Sequence, residues 1–336
     1  MKMAMSFPKM RHDWSENEIA AIYELPLPEL IFRAQTCHRS FHTPVEVQGA
    51  SLLNVKSGGC PDDCSYCPQS AHYDKGRNRT PLMSLEDVVS AAERARSLGA
   101  TRFCMGAAWR DVPGGSDFER VLQLVRAVAA LGLEVCCTMG MLTDWQAEAL
   151  AAAGLTSYNH NIDTSPEFYD KIITTRTYQD RLRTLQRVRN AGISICCGGI
   201  IGMGESRLDR YRLLQQLAAM QPHPESVPIN LLVRIEGTPF ADQGDIDVFD
   251  LVRTISCARI LMPKSIVRLS AGRLSLCDEA QALCFIAGAN SIFLGEKLLT
   301  TPNPEAGKDQ LLLDRLGMRL RVARSEEPKT EMSHGA

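Results

Sequence analysis

The chain has 336 residues, of which 45% are hydrophobic and 23% charged, and its net charge is -2 at neutral pH. That length accommodates one (β/α)₈ barrel with extensions and a sizeable core, and the near-neutral balance gives no basis for nucleic acid or an acidic surface as a partner. No run of about 18 apolar residues suggests a membrane span, and Met1–Trp14 lacks an apolar core followed by a small-residue cleavage site. The twelve cysteines are therefore expected to be reduced or metal-bound, in a cytoplasmic protein.

In chain order, residues 1–45 read as a helical extension. Ser15-Glu16-Asn17-Glu18 is a capping box ahead of Ile19, Ile22 and Tyr23, and a second helix after Pro28 buries Leu30, Ile31 and Ala34. From residue 50 short β-branched or apolar runs alternate with amphipathic segments. Strands are expected at Ser51–Val55, Thr101–Gly106, Leu133–Thr138, Ser157–Asp163, Ile193–Gly198, Val227–Val233, Ser265–Ser270 and Ser291–Leu294. Helices are expected at Leu85–Ser97, Phe118–Leu131, Asp144–Ala152, Tyr178–Asn190, Leu208–Met220, Val248–Leu261 and Asp278–Ile286, several ending in the glycine that stops a helix. Strands alternating with helices in this way predict an α/β fold, a parallel (β/α)₈ TIM-type barrel over residues 46–315. Its site belongs at the C-terminal strand ends. Residues 316–336 form a C-terminal tail, charged and without apolar periodicity from Arg324 onward, expected to be disordered.

The loop Cys60-Pro61-Asp62-Asp63-Cys64-Ser65-Tyr66-Cys67 places three thiols at C-x₃-C-x₂-C spacing, and the next cysteine is Cys104. Iron–sulfur cubanes normally take four thiolates and structural zinc four ligands, so the set is one ligand short. A zinc knuckle completed by His72 or a distant cysteine is the bland reading. An iron left open to substrate is the other, and the spacing, with an aromatic residue before the third cysteine, resembles the signature of radical S-adenosylmethionine (radical SAM) enzymes.

Alternate residues of a barrel strand face the lumen and the helix layer, and the uniformly apolar parity faces the helices. Leu133, Val135 and Cys137 then pack outward and Glu134, Cys136 and Thr138 inward; Ile193, Ile195 and Cys197 pack outward and Ser194, Cys196 and Gly198 inward. The same sorting turns Arg102, Cys104 and Gly106 inward, places Asn159, Asn161 and Asp163 on one parity with His160 on the other, and turns Asn230 and Arg268 inward. So many polar and sulfur-bearing lumen residues exceed what a passive core tolerates. Cys37, Cys257, Cys277 and Cys284 are expected to be small structural hydrophobes, and His160 a core histidine or a supporting donor.

The stretches CPDDCSYCPQ (60–69), RFCMGAAW (102–109), YNHNIDTSP (158–166), IITTRTY (172–178), SVPIN (226–230), VRLSAGR (267–273) and AGANSIF (287–293) together resemble the biotin synthase family of radical SAM enzymes, from about residue 12 to 315. The resemblance implies a homodimeric sulfurtransferase that inserts sulfur between C6 and C9 of dethiobiotin, the last step of biotin formation. It implies a [4Fe–4S] cluster on Cys60, Cys64 and Cys67 that cleaves SAM, and a [2Fe–2S] sulfur donor on Cys104, Cys136, Cys196 and Arg268. Tyr66, Asn161, Asp163 and Arg181 would hold SAM, and Asn159, Asn161 and Asn230 would hold the ureido ring, since amides offer both donor and acceptor to a neutral urea. Thr300 or Thr301 would meet the substrate carboxylate. A flavodoxin- or ferredoxin-type electron donor and an iron–sulfur assembly machinery are the implied partners. The run Gly198–Glu205 is expected to let backbone approach the adenosine.

Overall fold

A computed structural model describes residues 10–73, 79–295, 297–298 and 300–322. In chain order the elements are α1 (Glu16–Tyr23), α2 (Leu27–Phe41), β1 (Glu46–Lys56), α3 (Leu85–Ser97), β2 (Arg102–Ala107), α4 (Gly115–Ala130), β3 (Glu134–Thr138), α5 (Asp144–Ala152) and β4 (Ser157–Asn159). There follow α6 (Pro166–Tyr169), α7 (Tyr178–Asn190), β5 (Ser194–Cys196), β6 (Gly199–Ile201), α8 (Arg207–Ala218), β7 (Ser226–Leu231), α9 (Val248–Leu261), β8 (Ile266–Leu269), α10 (Asp278–Ile286), β9 (Ser291–Phe293), α11 (Ala306–Arg315) and β10 (Arg319–Leu320).

All pairings between these strands are parallel, in the order β1-β2-β3-β4-β5-β7-β8-β9, and β9 returns to pair with β1. This is the expected closed barrel with its helices outside. Capping boxes start α1, α5, α7 and α8, each satisfying two otherwise orphaned backbone donors. The layer between strands and helices is closed by Phe103, Met105, Val135, Cys137, Ile195, Cys197, Val227, Ile229, Val267 and Leu269, the parity expected to face outward. Burying each large aliphatic among them stabilises by roughly 1.5–3 kcal/mol. In the N-terminal extension, Tyr23 donates to the Asp250 carbonyl at 3.1 Å and Cys37 to the Arg259 carbonyl at 3.2 Å, fixing α1 and α2 on α9.

Several expectations need correction. The fourth and fifth strands stop at Asn159 and Cys196 rather than at Asp163 and Gly198, and Asp163 itself adopts φ 66°, a left-handed conformation incompatible with extended alternation. Beyond Cys196 the chain resumes as β6, which pairs with β7. At Gly198 an added Cβ would lie 1.9 Å from the Pro228 carbonyl oxygen, so here glycine serves strand packing. Helices α6 and α11 and strands β6 and β10 were not anticipated; β10, inside the segment read as tail, pairs Arg319 with Glu46 and Leu320 with Val47. The disorder expected from Arg324 to Ala336 lies outside the described residues. Cys277 is exposed at the start of α10, unlike buried Cys37, Cys257 and Cys284. No helix among the described residues is long and apolar enough to cross a membrane.

Candidate active site

The loop after β1 is built so that its backbone closes on itself. Cys60 N–H donates to the Gln69 carbonyl at 3.0 Å, Ala71 N–H to the Cys60 carbonyl at 2.7 Å and Cys67 N–H to the Cys64 carbonyl at 2.9 Å. The two aspartates of the motif tie it to the segment before α7. Asp63 accepts from the backbone N–H groups of Thr174 and Thr175 at 2.9 and 3.1 Å, and Asp62 accepts from the Thr175 hydroxyl at 3.0 Å. Cys64 is buried while Cys60 and Cys67 are half-buried. Burial pushes Cys64 up to about 12 and Cys67 up to about 11, and raises Cys60. Cluster loading at such thiols must therefore release protons. His72 places Nε2 at 3.1 Å from the Pro61 carbonyl, and among the described residues no three His, Cys, Asp or Glu side chains close on a single metal ion.

Opposite this loop, Asp163 is buried and its Oδ2 accepts from Arg181 Nη2 at 2.6 Å and from the Tyr66 hydroxyl at 3.0 Å. Arg181 Nε donates to the Tyr169 hydroxyl at 2.9 Å. Asn159 donates to Asn161 Oδ1 at 3.2 Å and to the Cys196 sulfur at 3.2 Å, and accepts from the Thr138 hydroxyl at 3.2 Å. Asn161 Oδ1 also accepts from Gly198 N–H at 3.0 Å. Asn230 bridges two backbones, donating to the Gly199 carbonyl at 3.0 Å and accepting from Ala271 N–H at 3.2 Å. Asn161, Asp163 and also His160 thus reach the cavity from the loop after β4, not by strand alternation. His160 Nε2 is buried with no partner among the described residues, so of the two expectations, a satisfied core histidine or a supporting donor, the first is not met.

Deeper in the lumen, strand register assembles a second set. Cys104 lies beside Cys136, Asn159 beside Cys196, Cys196 beside Ser226, and Arg268 beside Ser291. Cys104, Cys136 and Cys196 cluster with Ala50, Phe293 and Leu298, whereas Cys137 and Cys197 lie in the outer layer. Arg268 stacks over Phe293 at 4.6 Å and donates to the Ser291 hydroxyl at 3.0 Å. Arg102 pairs with Glu134 at 2.9 Å. The Cys136 thiol hydrogen-bonding to Cys104, helped by Arg268 and Arg102, lowers Cys104; that same bond is the main cause pushing Cys136 up to about 12. Buried Arg102 Nη1 and Ser226 Oγ have no partner among the described residues, an accommodation for a further polar group at the thiols.

Both sets open on one cavity of about 310 Å³, within the range of small-molecule sites. It is lined by Cys60, Cys64, Tyr66, Cys67, Cys104, Cys136, Asn159, Asn161, Asp163, Arg181, Cys196, Asn230, Arg268, Thr300 and Thr301. Residues 54–217 match the Radical SAM superfamily, and residues 228–319 match the Biotin and Thiamin Synthesis associated domain. The chain is 61% identical over 313 residues to a biotin synthase of Methylococcus capsulatus, an alignment covering 93% of this chain and 96% of that protein. The chain belongs to the biotin synthase family.

A biotin synthase of Myxococcus xanthus is 60% identical over 317 residues, covering 94% of this chain and 92% of that one. Among solved structures, methylornithine synthase matches with a TM-score of 0.78 at 18% identity, over 92% of this chain and 94% of its own. The FeFe-hydrogenase maturase HydG from Carboxydothermus hydrogenoformans matches with 0.77 at 17% identity, over 93% and 77%. At such identities these two establish the barrel and nothing of its chemistry. Within this biotin synthase family chain, sequence reasoning missed cavity-lining Arg176 and lumen-side Gln48. Arg176 pairs with Asp62 at 2.7 Å. Gln48 joins Arg268 and Ser291 to Glu134, bonding the last at 3.0 Å. The IITTRTY stretch and the motif's Asp62 were the available signals for Arg176; Gln48 lay before the expected start of the first strand.

Proposed function

We propose that this chain converts dethiobiotin to biotin by radical SAM-dependent insertion of sulfur between C6 and C9. The single observation that carries the reading is the pair of thiol sets on one cavity, with carboxamides between them. In this reading Cys60, Cys64 and Cys67 hold the [4Fe–4S] cluster, and Cys104, Cys136, Cys196 and Arg268 hold the [2Fe–2S] cluster. Bound there, the first supplies the electron that cleaves SAM and the second supplies the sulfur.

The chain's own residues bind and orient. Arg181 offers Nη1, which makes no bond among the described residues, to the SAM carboxylate, a charge-assisted contact. Asp163 and Asn161 face the ribose and Tyr66 the adenine. Asn159 has its amide spread over Thr138, Asn161 and Cys196, which fixes the plane it presents to the ureido ring. Asn230, bound on both sides to backbone, keeps one N–H and one lone pair for the same ring. Apolar Leu52, Ile200, Phe293 and Leu298 line the remaining wall and exclude water from a site whose chemistry moves hydrogen atoms. Thr300 or Thr301 at the mouth receives the substrate carboxylate. Tyr66 stays neutral, since burial raises it well above the usual tyrosine range, and so continues to donate to Asp163.

The reading extends to a cytoplasmic homodimer served by a flavodoxin- or ferredoxin-type donor and by iron–sulfur assembly machinery, with residues 1–45 as a helical extension, 46–315 as the catalytic barrel and 316–336 as a tail. It rests there on the family resemblance. The test is an anaerobic assay of the reconstituted protein with SAM, a reductant and dethiobiotin, read by mass spectrometry. Biotin one sulfur heavier and two hydrogens lighter than its precursor is expected; SAM cleavage with dethiobiotin unchanged would refute the reading.

A further inference from the structure

Arg176 follows directly on the two threonines that Asp63 pins to the cysteine loop, so its guanidinium is held in fixed relation to the thiols. Its side chain is only 7% exposed and lies 2.7 Å from Asp62 Oδ2, itself 1% exposed. Yet the N–H vectors do not aim at that oxygen, and Asp62 Oδ2 is without a hydrogen bond among the described residues. Nη2 instead points at the Cys64 sulfur at 3.9 Å, while Nε and Nη1 are buried with no partner among the described residues. Leaving buried donors unpaired costs on the order of 1–3 kcal/mol each, and native structures keep few of them. The guanidinium already pairs with Asp62, yet its unspent donors leave room for a second anion on the sulfur side.

We propose that this anion is the sulfide and thiolate charge of the iron–sulfur cluster on Cys60, Cys64 and Cys67, and that Arg176 is a positioning residue that raises the cluster's reduction potential by donating hydrogen bonds to its sulfurs. The proposal rests on the reading that those three cysteines hold the [4Fe–4S] cluster. One-electron reduction adds a negative charge in a buried site, where a fixed cation acts through a low local dielectric, and hydrogen bonds to sulfur and net charge are among the levers that set such potentials. The carboxylate of SAM is the competing anion, but Arg181 is the guanidinium turned to the Asp163 side of the cavity, while the sulfur is what Arg176 already faces. Asp62 then tempers the Arg176 charge, so the two should act in opposite directions.

The experiment is an EPR-monitored redox titration of anaerobically reconstituted full-length protein, comparing wild type with Arg176→Gln, Arg176→Lys and Asp62→Asn, alongside SAM affinity. Arg176→Gln should make reduction about tenfold less favourable, a downward shift of about 59 mV for one electron; Arg176→Lys should shift less, and Asp62→Asn upward. Should the Gln variant fail to load, the Lys and Asn variants decide by their opposite signs. An unchanged potential with SAM binding weakened tenfold would overturn the proposal in favour of a carboxylate clamp, and shifts of the same sign in all variants would overturn it as general disturbance. Absence of a reducible cluster in the wild type would instead defeat the underlying reading.

Discussion

Adjacent cysteines on β3 give a sharp test of lumen against helix layer. Cys136 and Cys137 are both buried, but Cys136 sits with Cys104 and Cys196 whereas Cys137 packs in the outer core. Cys137→Ala deletes one buried atom of about methylene size, a loss of about 1–2 kcal/mol once the small cavity is included. For a chain of this size that lowers Tm by a few degrees, roughly 2–4 °C per kcal/mol. The iron and sulfide content should be unchanged. Cys136→Ala should remove the smaller cluster entirely while SAM cleavage persists. Anaerobic reconstitution followed by iron, acid-labile sulfide and visible absorption checks both. Loss of the smaller cluster in Cys137→Ala with retention in Cys136→Ala would refute the parity reasoning.

Asn230→Ala should raise KM for dethiobiotin while leaving KM for SAM unchanged, and should also destabilise by about 1–3 kcal/mol because the Gly199 carbonyl and Ala271 N–H lose their partner; steady-state kinetics with thermal melts separate the two effects. Gly198→Ala would set its Cβ 1.9 Å from the Pro228 carbonyl, so the barrel must shift by more than a side chain can give; a variant with wild-type Tm would contradict this. Burial, with help from the Arg259 charge, lowers His38 to about 3 and His42 to about 4, from an ordinary 6.5. The unfolded chain therefore binds protons near pH 6.5 that the folded chain refuses, so this stability is complete above that pH and is lost as pH falls toward 4. Melts from pH 7.5 to 5 should show a falling Tm, with a shallower slope in His42→Gln.

What was legible in the chain was local. Alternation of polar and apolar residues on β2, β3 and β5 fixed the lumen parity of Cys104, Cys136 and Cys196, and the capping box read at Ser15 is the one that starts α1. What was not legible depends on distant contacts. The left-handed turn at Asp163 is held by Arg181 and Tyr66, and no periodicity announces it. Helix α11 has Glu305 at its N-cap without a side-chain cap bond, so its start signal is weak, and β10 exists only because β1 offers an edge. The asparagines look like free substrate ligands in sequence, yet Asn230 is committed to backbone on both sides. Arg176 matters because Asp62, Cys64 and the pinned threonines meet it across the site, a coincidence that only the folded chain displays.

The central claim is that one cavity holds two clusters with different fates. Mössbauer spectra of the reconstituted protein before and after addition of SAM, dethiobiotin and reductant test it directly. The account predicts signals of both a [4Fe–4S] and a [2Fe–2S] cluster at the start, with the second declining in step with biotin formed. A [4Fe–4S] signal alone, with SAM cleaved and the thiols of Cys104, Cys136 and Cys196 still open to alkylation, would contradict it.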